Sequence, residues 1–343
     1  MLTNLFYLFL ALSLSFLLYP YWVNFVYKYH MGERIREDGP IEHQKKKGTP
    51  TMGGLVFILV VSIITFALNK SRTQTLFPVF VATVAALFGL IEDLSKIYKT
   101  RDLGFSLKSW LRPLKKFADF WNIFGSRDGV GLQTYQKVLA QGVLAGFVSY
   151  WAYFKLGWDY LWFPLIGDVH IGFLYPIVVF ILFIVILNSV AFTDGVDGLA
   201  GGLSLIAFIA FWVIASALGY QSLAGFIAAF VGALLPFLYF NIPPARIFMG
   251  NVGSHVLGAS LAILGVVMHR EIAMLIILSI FLIDGITSPL QQLSVKLTRK
   301  RLFRMAPIHH HFELLGWPES KVTLRFWIFG AMAGFVGILV ALL

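Results

Sequence analysis

The sequence predicts an all-α polytopic membrane protein with about ten transmembrane helices, both termini outside and its active-site loops on the cytoplasmic face. Three observations carry that reading. Of 343 residues, 58% are hydrophobic and 13% charged, and the mean hydropathy is +0.80; a soluble domain carries about 25% charged residues. Apolar runs close to the ~20 residues of a membrane span recur along the chain. The basic residues concentrate on alternate loops between those runs. No cysteine is present, which excludes a disulfide framework and thiolate chemistry. A net charge of +10 would suit nucleic acid in a soluble protein. In a membrane protein it reflects cytoplasmic loops, so no nucleic-acid partner is expected.

Spans are expected near 2–27, 52–69, 75–91, 137–156, 172–191, 199–217, 222–240, 254–268, 271–290 and 324–343. The first run holds no Lys or Arg before Lys28 and exceeds a signal-peptide core, so it reads as a retained helix. Of the 27 Lys and Arg, six fall in 28–50, nine in 92–137, one at Arg246 and seven in 293–325. That places 23 on one side and leaves Lys70, Arg72, Lys155 and Arg270 on the other. Cytoplasmic loops carry the basic excess, so every polar motif is expected there. The chain reads as one integral-membrane domain, 1–343, with an insert at about 104–128. Leu107, Trp110, Leu111, Leu114, Phe117, Trp121 and Phe124 recur in that insert at helical steps among Lys108, Arg112, Lys115 and Lys116. This is the pattern of a segment lying in the headgroup plane of membrane lipid.

The loops carry the chemistry. Lys45-Lys46-Lys47-Gly48-Thr49-Pro50-Thr51-Met52-Gly53-Gly54 opens the second span. Lysines beside a Gly/Thr-rich turn at a helix start suit a phosphate, because backbone N–H groups and the helix dipole attract anions; a positive anchor with a helix cap is the bland alternative. Glu92-Asp93 ends the third span and can bind a hard cation or relay a proton, or be a solvated helix end. Asp194-Gly195-Val196-Asp197-Gly198 separates the fifth and sixth spans. Its acids are three apart, which a helical turn would place on one face, and its glycines allow close approach of a ligand. Asp284 within the ninth span should face protein or water, and Asp284-Gly285 with Pro289 predicts a bend there. The last polar stretch, Arg304 to Glu319, reads as a loop presenting His309, His310 and His311 to a phosphate-bearing substrate. Three adjacent side chains diverge, so they do not converge on one metal ion.

Together Lys46–Gly54, Thr193–Ala200, Phe248–Ser254 and Phe303–Glu319 resemble the phospho-N-acetylmuramoyl-pentapeptide transferases, and the likeness runs over nearly the whole chain. Pro-Ile-His-His-His-Phe-Glu-Leu-Leu-Gly-Trp-Pro-Glu marks that family within the polyprenyl-phosphate sugar-1-phosphate transferases. The resemblance implies transfer of phospho-MurNAc-pentapeptide from UDP-MurNAc-pentapeptide to undecaprenyl phosphate, giving lipid I and UMP with Mg²⁺. It also implies ten helices, a homodimer in the bacterial inner membrane and a groove on the cytoplasmic face. Carried over by position, Glu92, Asp93, Asp194, Asp197, His309, His310 and His311 are the catalytic set. Lys46, Thr51 and Lys137 lie at the phosphates, Asp194 and Asp197 at the nucleotide, Gln291 at the uridine end. Asn188 and Asn251 stand at the metal.

The sequence departs from the family inside that set. Asn251 stands in the family's Met-Gly-Asp-x-Gly-Ser motif, Glu92 is the first acid of an Asp-Asp pair, and Ala191 replaces a second Asn. His255 takes a position that is normally apolar, and the 104–128 insert is longer than the usual loop. Competing readings are a substrate-binding paralogue without turnover and a related polyprenyl-phosphate N-acetylhexosamine-1-phosphate transferase. A secondary transporter would instead carry its acids at the midplane.

Overall fold

The computed structural model describes residues 2–32, 46, 48–69, 72–97 and 134–343. The 104–128 insert, Lys45 and Lys47 lie outside the described residues. Each apolar run becomes a helix, as a segment without water to satisfy its backbone requires. In chain order these are α1 (Leu2–Lys28), α2 (Gly54–Leu68), α3 (Arg72–Ile97) and α4 (Thr134–Tyr150), which runs into a π-helical turn over Trp151–Lys155. Then come α5 (Leu174–Thr193), α6 (Leu199–Ala217), α7 (Gln221–Asn241) and α8 (Gly250–Val267). The chain closes with α9 (Glu271–Ile277), α10 (Ser279–Thr298), α11 (Ile308–Glu313) and α12 (Glu319–Leu342). Among the described residues seven helices are long and apolar enough to cross a membrane, and α9 with α10 make an eighth if the pair is one span. α2, at 15 residues, is shorter.

α7 and α8 are the enclosed centre, whereas α1 and α12 leave most of their surface outward. α8 packs on α3 and α5, α7 packs on α1 and α6, and α12 covers α6 and α9. Small residues let these backbones approach. A Cβ on Gly54 would sit 2.1 Å from the Cα of Gly253, and one on Gly89 would sit 2.3 Å from the carbonyl oxygen of Asn251. These two contacts press α2 and α3 against the start of α8. The segment before α2 is laced to the same place: Phe248 N–H donates to Pro50 O at 2.8 Å, and Gly53 and Gly54 N–H donate to Phe248 and Met249 O at 2.9 Å.

Three expectations are corrected. The bend predicted at Asp284-Gly285 and Pro289 lies instead at Leu278, where α9 and α10 meet at 75°. Gly285 serves an approach rather than a break, since a Cβ there would lie 2.5 Å from the Cα of Ser189. The eighth helix begins at Gly250, four residues before the apolar pattern, because its first turn is polar and carries the site. The histidine stretch is a short helix, α11, not a loop. Between α4 and α5 the chain adds an antiparallel hairpin, β1 (Tyr160–Phe163) on β2 (Gly167–His170), which no hydropathy pattern announced.

Gly89→Ala tests the glycine contact. The added methyl must push α3 off α8, an overpacking cost of about 1–3 kcal/mol. The expected result is a lower unfolding temperature in detergent together with lost activity; native-like values of both would show that the contact is slack.

Candidate active site

The end of α3, the starts of α4, α6, α8 and α12, and the end of α5 gather at one end of the bundle with α11. Three buried or half-buried polar clusters form there, each joining elements far apart in sequence.

The first cluster surrounds Glu92 and Asp93, both 4% exposed. Glu92 takes the ammonium of Lys137 from α4, with Lys96 at 3.5 Å from its own helix. Asp93 accepts the backbone N–H of Asn251 at 3.0 Å, the Asn251 side-chain amide at 2.7 Å, and the backbone N–H of Val252 at 3.0 Å. It therefore caps α8 from a neighbouring helix, where N–H groups without an intrahelical partner and the helix dipole favour an anion. Thr51 is buried beside it: a Cβ on Gly250 would meet Asp93 Oδ2 at 2.7 Å and Thr51 Oγ1 at 3.0 Å. Gly250 has φ +73°, so this tight corner demands glycine twice over. Behind it His255 sets Nδ1 at 2.8 Å from Asn251 O, and its Nε2 faces the Gln141 amide nitrogen at 3.5 Å. The Asn188 amide in turn donates to Gln141 Oε1 at 2.9 Å and to Ile184 O at 2.8 Å. Asn188 and Asn251 are thus joined through Gln141 and His255.

The second cluster is the turn Asp194–Gly198 between α5 and α6. Asp194 caps the end of α5 and Asp197 is 4% exposed; both lie on a turn rather than on a helical face. Asp197 holds Lys46 at 2.7 Å and accepts the Ala245 N–H at 3.0 Å. Lys46 also reaches Glu319 at the start of α12, at 2.7 Å. Asn241 accepts the Gly198 N–H at 3.1 Å and donates to Ile247 O at 2.9 Å. Thr323 donates to Asp197 O at 3.1 Å and the Trp327 indole donates to Gly198 O at 3.2 Å.

The third cluster is α11. His309 and Asp284 are fully buried, with His309 Nδ1 2.8 Å from Asp284 Oδ2. His310 Nδ1 lies 2.6 Å from Glu313 Oε2, and His311 Nδ1 accepts the Arg304 N–H at 3.2 Å. The three rings therefore take three different partners, as adjacent helical positions require. Gln291 is engaged at both ends of its amide by Phe303, accepting its N–H at 2.8 Å and donating to its carbonyl at 3.1 Å. α11 touches the second cluster: a Cβ on Gly195 would lie 2.6 Å from His309 Nε2 and 3.3 Å from His310 Nε2.

Known proteins share this arrangement in sequence. A family model described as glycosyl transferase family 4 matches residues 75–269, and phospho-N-acetylmuramoyl-pentapeptide-transferase signature 1 matches residues 46–58. Relatives named phospho-N-acetylmuramoyl-pentapeptide-transferase align over almost the whole chain. The protein from Shouchella clausii is 35% identical over 340 residues, 98% of this chain and 97% of its own. That from Limosilactobacillus reuteri is 37% identical over 342 residues, 96% and 95%. That from Lacticaseibacillus paracasei is 36% identical over 322 residues, 93% and 92%. The chain belongs to the phospho-N-acetylmuramoyl-pentapeptide transferase family.

As a member of that family it is a phosphoglycosyl transferase of lipid I synthesis, and its site residues can be weighed in that light. Every expected site residue lies at this one end, in the three clusters described. Glu319, Asn241, Thr323, Trp327, Gln141 and Asp284 also build the site without having been singled out for it. Glu319 stood inside the quoted Phe303–Glu319 stretch; for Gln141 and Trp327 the sequence carried no signal.

The expected Mg²⁺ donors fit poorly. Mg²⁺ is held by one or two carboxylates together with substrate phosphates. Asn188 and Asn251 bring neutral amides, and the adjacent Asp93 carboxylate already takes three N–H groups. Among the described residues no group of three or more His, Cys, Asp or Glu could hold a metal ion. Asn251→Asp changes this. It sets two carboxylates at the 2.7 Å amide contact, and like charges that close need a cation or a proton between them. The variant is expected to bind Mn²⁺ at least tenfold more tightly than the native chain, read by paramagnetic resonance. Equal binding would place residue 251 away from any ion.

Proposed function

We propose that this transferase carries out its reaction at the one-ended cluster described above. It would move phospho-MurNAc-pentapeptide from UDP-MurNAc-pentapeptide to undecaprenyl phosphate. A lipid phosphate oxygen forms a bond to the sugar-bearing phosphorus, the bridge to the nucleotide phosphorus breaks, and its electron pair leaves with UMP. Such a transfer depends on positioning and charge neutralisation rather than on covalent help. The lipid phosphate is already largely ionised near neutral pH, with a second pKa of about 6, so no strong base is needed.

The observation that carries this reading is the convergence of Lys46, the Asp194–Gly198 turn and α11 on one point. Lys46 offers a cation to a phosphate in exchange for Asp197 and Glu319. Gly195 lets the backbone of the turn pack against His309 and His310, so a nucleotide held at the turn would lie beside those rings. Lys137, held by Glu92, supplies a second cation, and Asp93 keeps the start of α8 in place beside Thr51. Mg²⁺ is the ion this chemistry uses in our reading. The chain's own donors at Asn188 and Asn251 do not make a resident site, and no step here is derived through it.

Apart from Asp284 in the interior of α10, the acids of the clusters lie at or near helix ends, which supports a transferase over a transporter that binds at midplane. Lys28, Lys46, Lys96, Lys137, Arg246, Lys296 and Lys321 mark the same end, which supports a cytoplasmic site with both termini outside and about ten spans. The family likeness supports the bacterial inner membrane and a homodimer.

Turnover tests the proposal. Purified chain supplied with UDP-MurNAc-pentapeptide, undecaprenyl phosphate and Mg²⁺ should release UMP and form lipid I, detected by mass spectrometry. Asp197→Asn and Asp194→Asn should each lose about 100-fold or more, the scale of removing one site charge in a pre-organised centre. No lipid I from the native chain, but lipid I from Asn251→Asp, would instead favour a substrate-binding paralogue disabled at its amide.

A further inference from the structure

We infer that Asp284 is a positioning residue of this transferase, acting through His309. The inference rests on the transferase reading above. Asp284 projects from the interior of α10 and His309 from the first turn of α11, 25 residues on; both are 0% exposed. The carboxylate holds the histidine at three points. Oδ1 accepts the His309 backbone N–H at 3.1 Å, and Nδ1 of the ring lies 3.0 Å from Oδ1 and 2.8 Å from Oδ2. A carboxylate only accepts, so the proton sits on Nδ1 and the ring cannot rotate without breaking that pair.

Among the described residues the other ring nitrogen has no partner. Nε2 of His309 is buried and makes no hydrogen bond, an arrangement that costs free energy unless something later pairs with it. It is aimed at the Asp194–Gly198 turn: a Cβ on Gly195 would stop 2.6 Å from it. Only a residue without a side chain lets the turn's backbone come this close to the ring. The ring of His310 flanks His309 at 4.1 Å. The geometry is that of an orienting carboxylate, an imidazole and a buried, unpaired nitrogen packed against the substrate-binding turn. The pair is a pre-set contact for a polar atom of the nucleoside-diphosphate-linked substrate. A histidine latched in this way places Nε2 to within the ring's own tolerance before the substrate arrives, which is what positioning groups contribute.

A purely structural Asp284 would make a different prediction. It would tie α10 to α11, and its loss would lower stability without depending on the ring of His309. A double-mutant cycle separates the two. Asp284→Asn keeps the shape and the acceptor for the backbone N–H, but presents an amide N–H to Nδ1, which forces the proton onto Nε2. Turnover of lipid I, KM for the nucleotide substrate and unfolding temperature would be measured for Asp284→Asn, His309→Ala and the double variant. The expected result is a kcat loss of about 100-fold in Asp284→Asn with KM changed less than about threefold. In the His309→Ala background the same substitution should cost less than about threefold more, because groups that act as a unit are non-additive. Asp284→Glu, which keeps the acid, should recover at least a tenth of native turnover. Full additivity of the two substitutions would overturn the inference, as would native kcat in Asp284→Asn. Should Asp284→Asn not fold, a folded Asp284→Glu with less than a hundredth of native turnover would overturn it equally. Failure of the native chain to turn over would count against the transferase reading instead.

Discussion

A carboxylate buried in an apolar bundle must be paired or it unfolds what holds it, and Asp93 meets that demand with the first turn of α8. Three N–H groups close on it, and the site depends on that closure. It fixes the start of one of the two most enclosed helices against α3, so the Gly54 and Gly89 contacts follow from it as much as they permit it. Thr51, Gly250 and the chain before α2 are then confined to the same corner.

The same rule orders the rest of the site. Each buried acid finds its partner on another element: Glu92 on α4, Asp197 on Lys46 and Ala245, Asp284 on α11. Breaking such a pair leaves a charge stranded, at a cost of about 3–5 kcal/mol when fully buried. Segments tens to hundreds of residues apart are therefore held in one geometry without a covalent link. Two of the pairs are less enclosed: Lys46 and Lys137 are partly exposed, and in the proposed reaction an incoming phosphate would compete with their carboxylates. The Asp93 and Asp284 pairs are enclosed and belong to the frame.

Much of this was legible in the sequence, because the membrane enforces it. Apolar length predicts helices. Nine of the ten runs became single helices with shifted ends, and the run at 271–290 became the bent pair α9 and α10. Among the described residues seven helices, or eight with that pair, are long and apolar enough to cross a membrane. The motif residues that the sequence singled out lie together at one end of the bundle. What escaped notice depends on distance. The pairing of Asn251 with Asp93, of Asp284 with His309, and of Lys46 with Glu319 spans 25 to 273 residues, and no local pattern reports it. The bend at Leu278 escaped because Gly285 and Pro289 offered a stronger local signal, and the hairpin at 160–170 because its strands are short and mixed in character. Asn251 looked like a lost metal charge; in the structure it is a hydrogen-bond donor.

The most direct measurement is amide hydrogen exchange over the peptide containing Asn251 and Val252, with lipid I formation recorded on the same samples. Native chain would be compared with Asp93→Asn, whose amide N–H would face the N–H groups of α8. If Asp93 builds the site by capping α8, exchange at the start of that helix should accelerate at least tenfold and lipid I formation should fall with it. Native-like protection in a variant that has lost turnover, or full turnover with those amides exposed, would contradict the account.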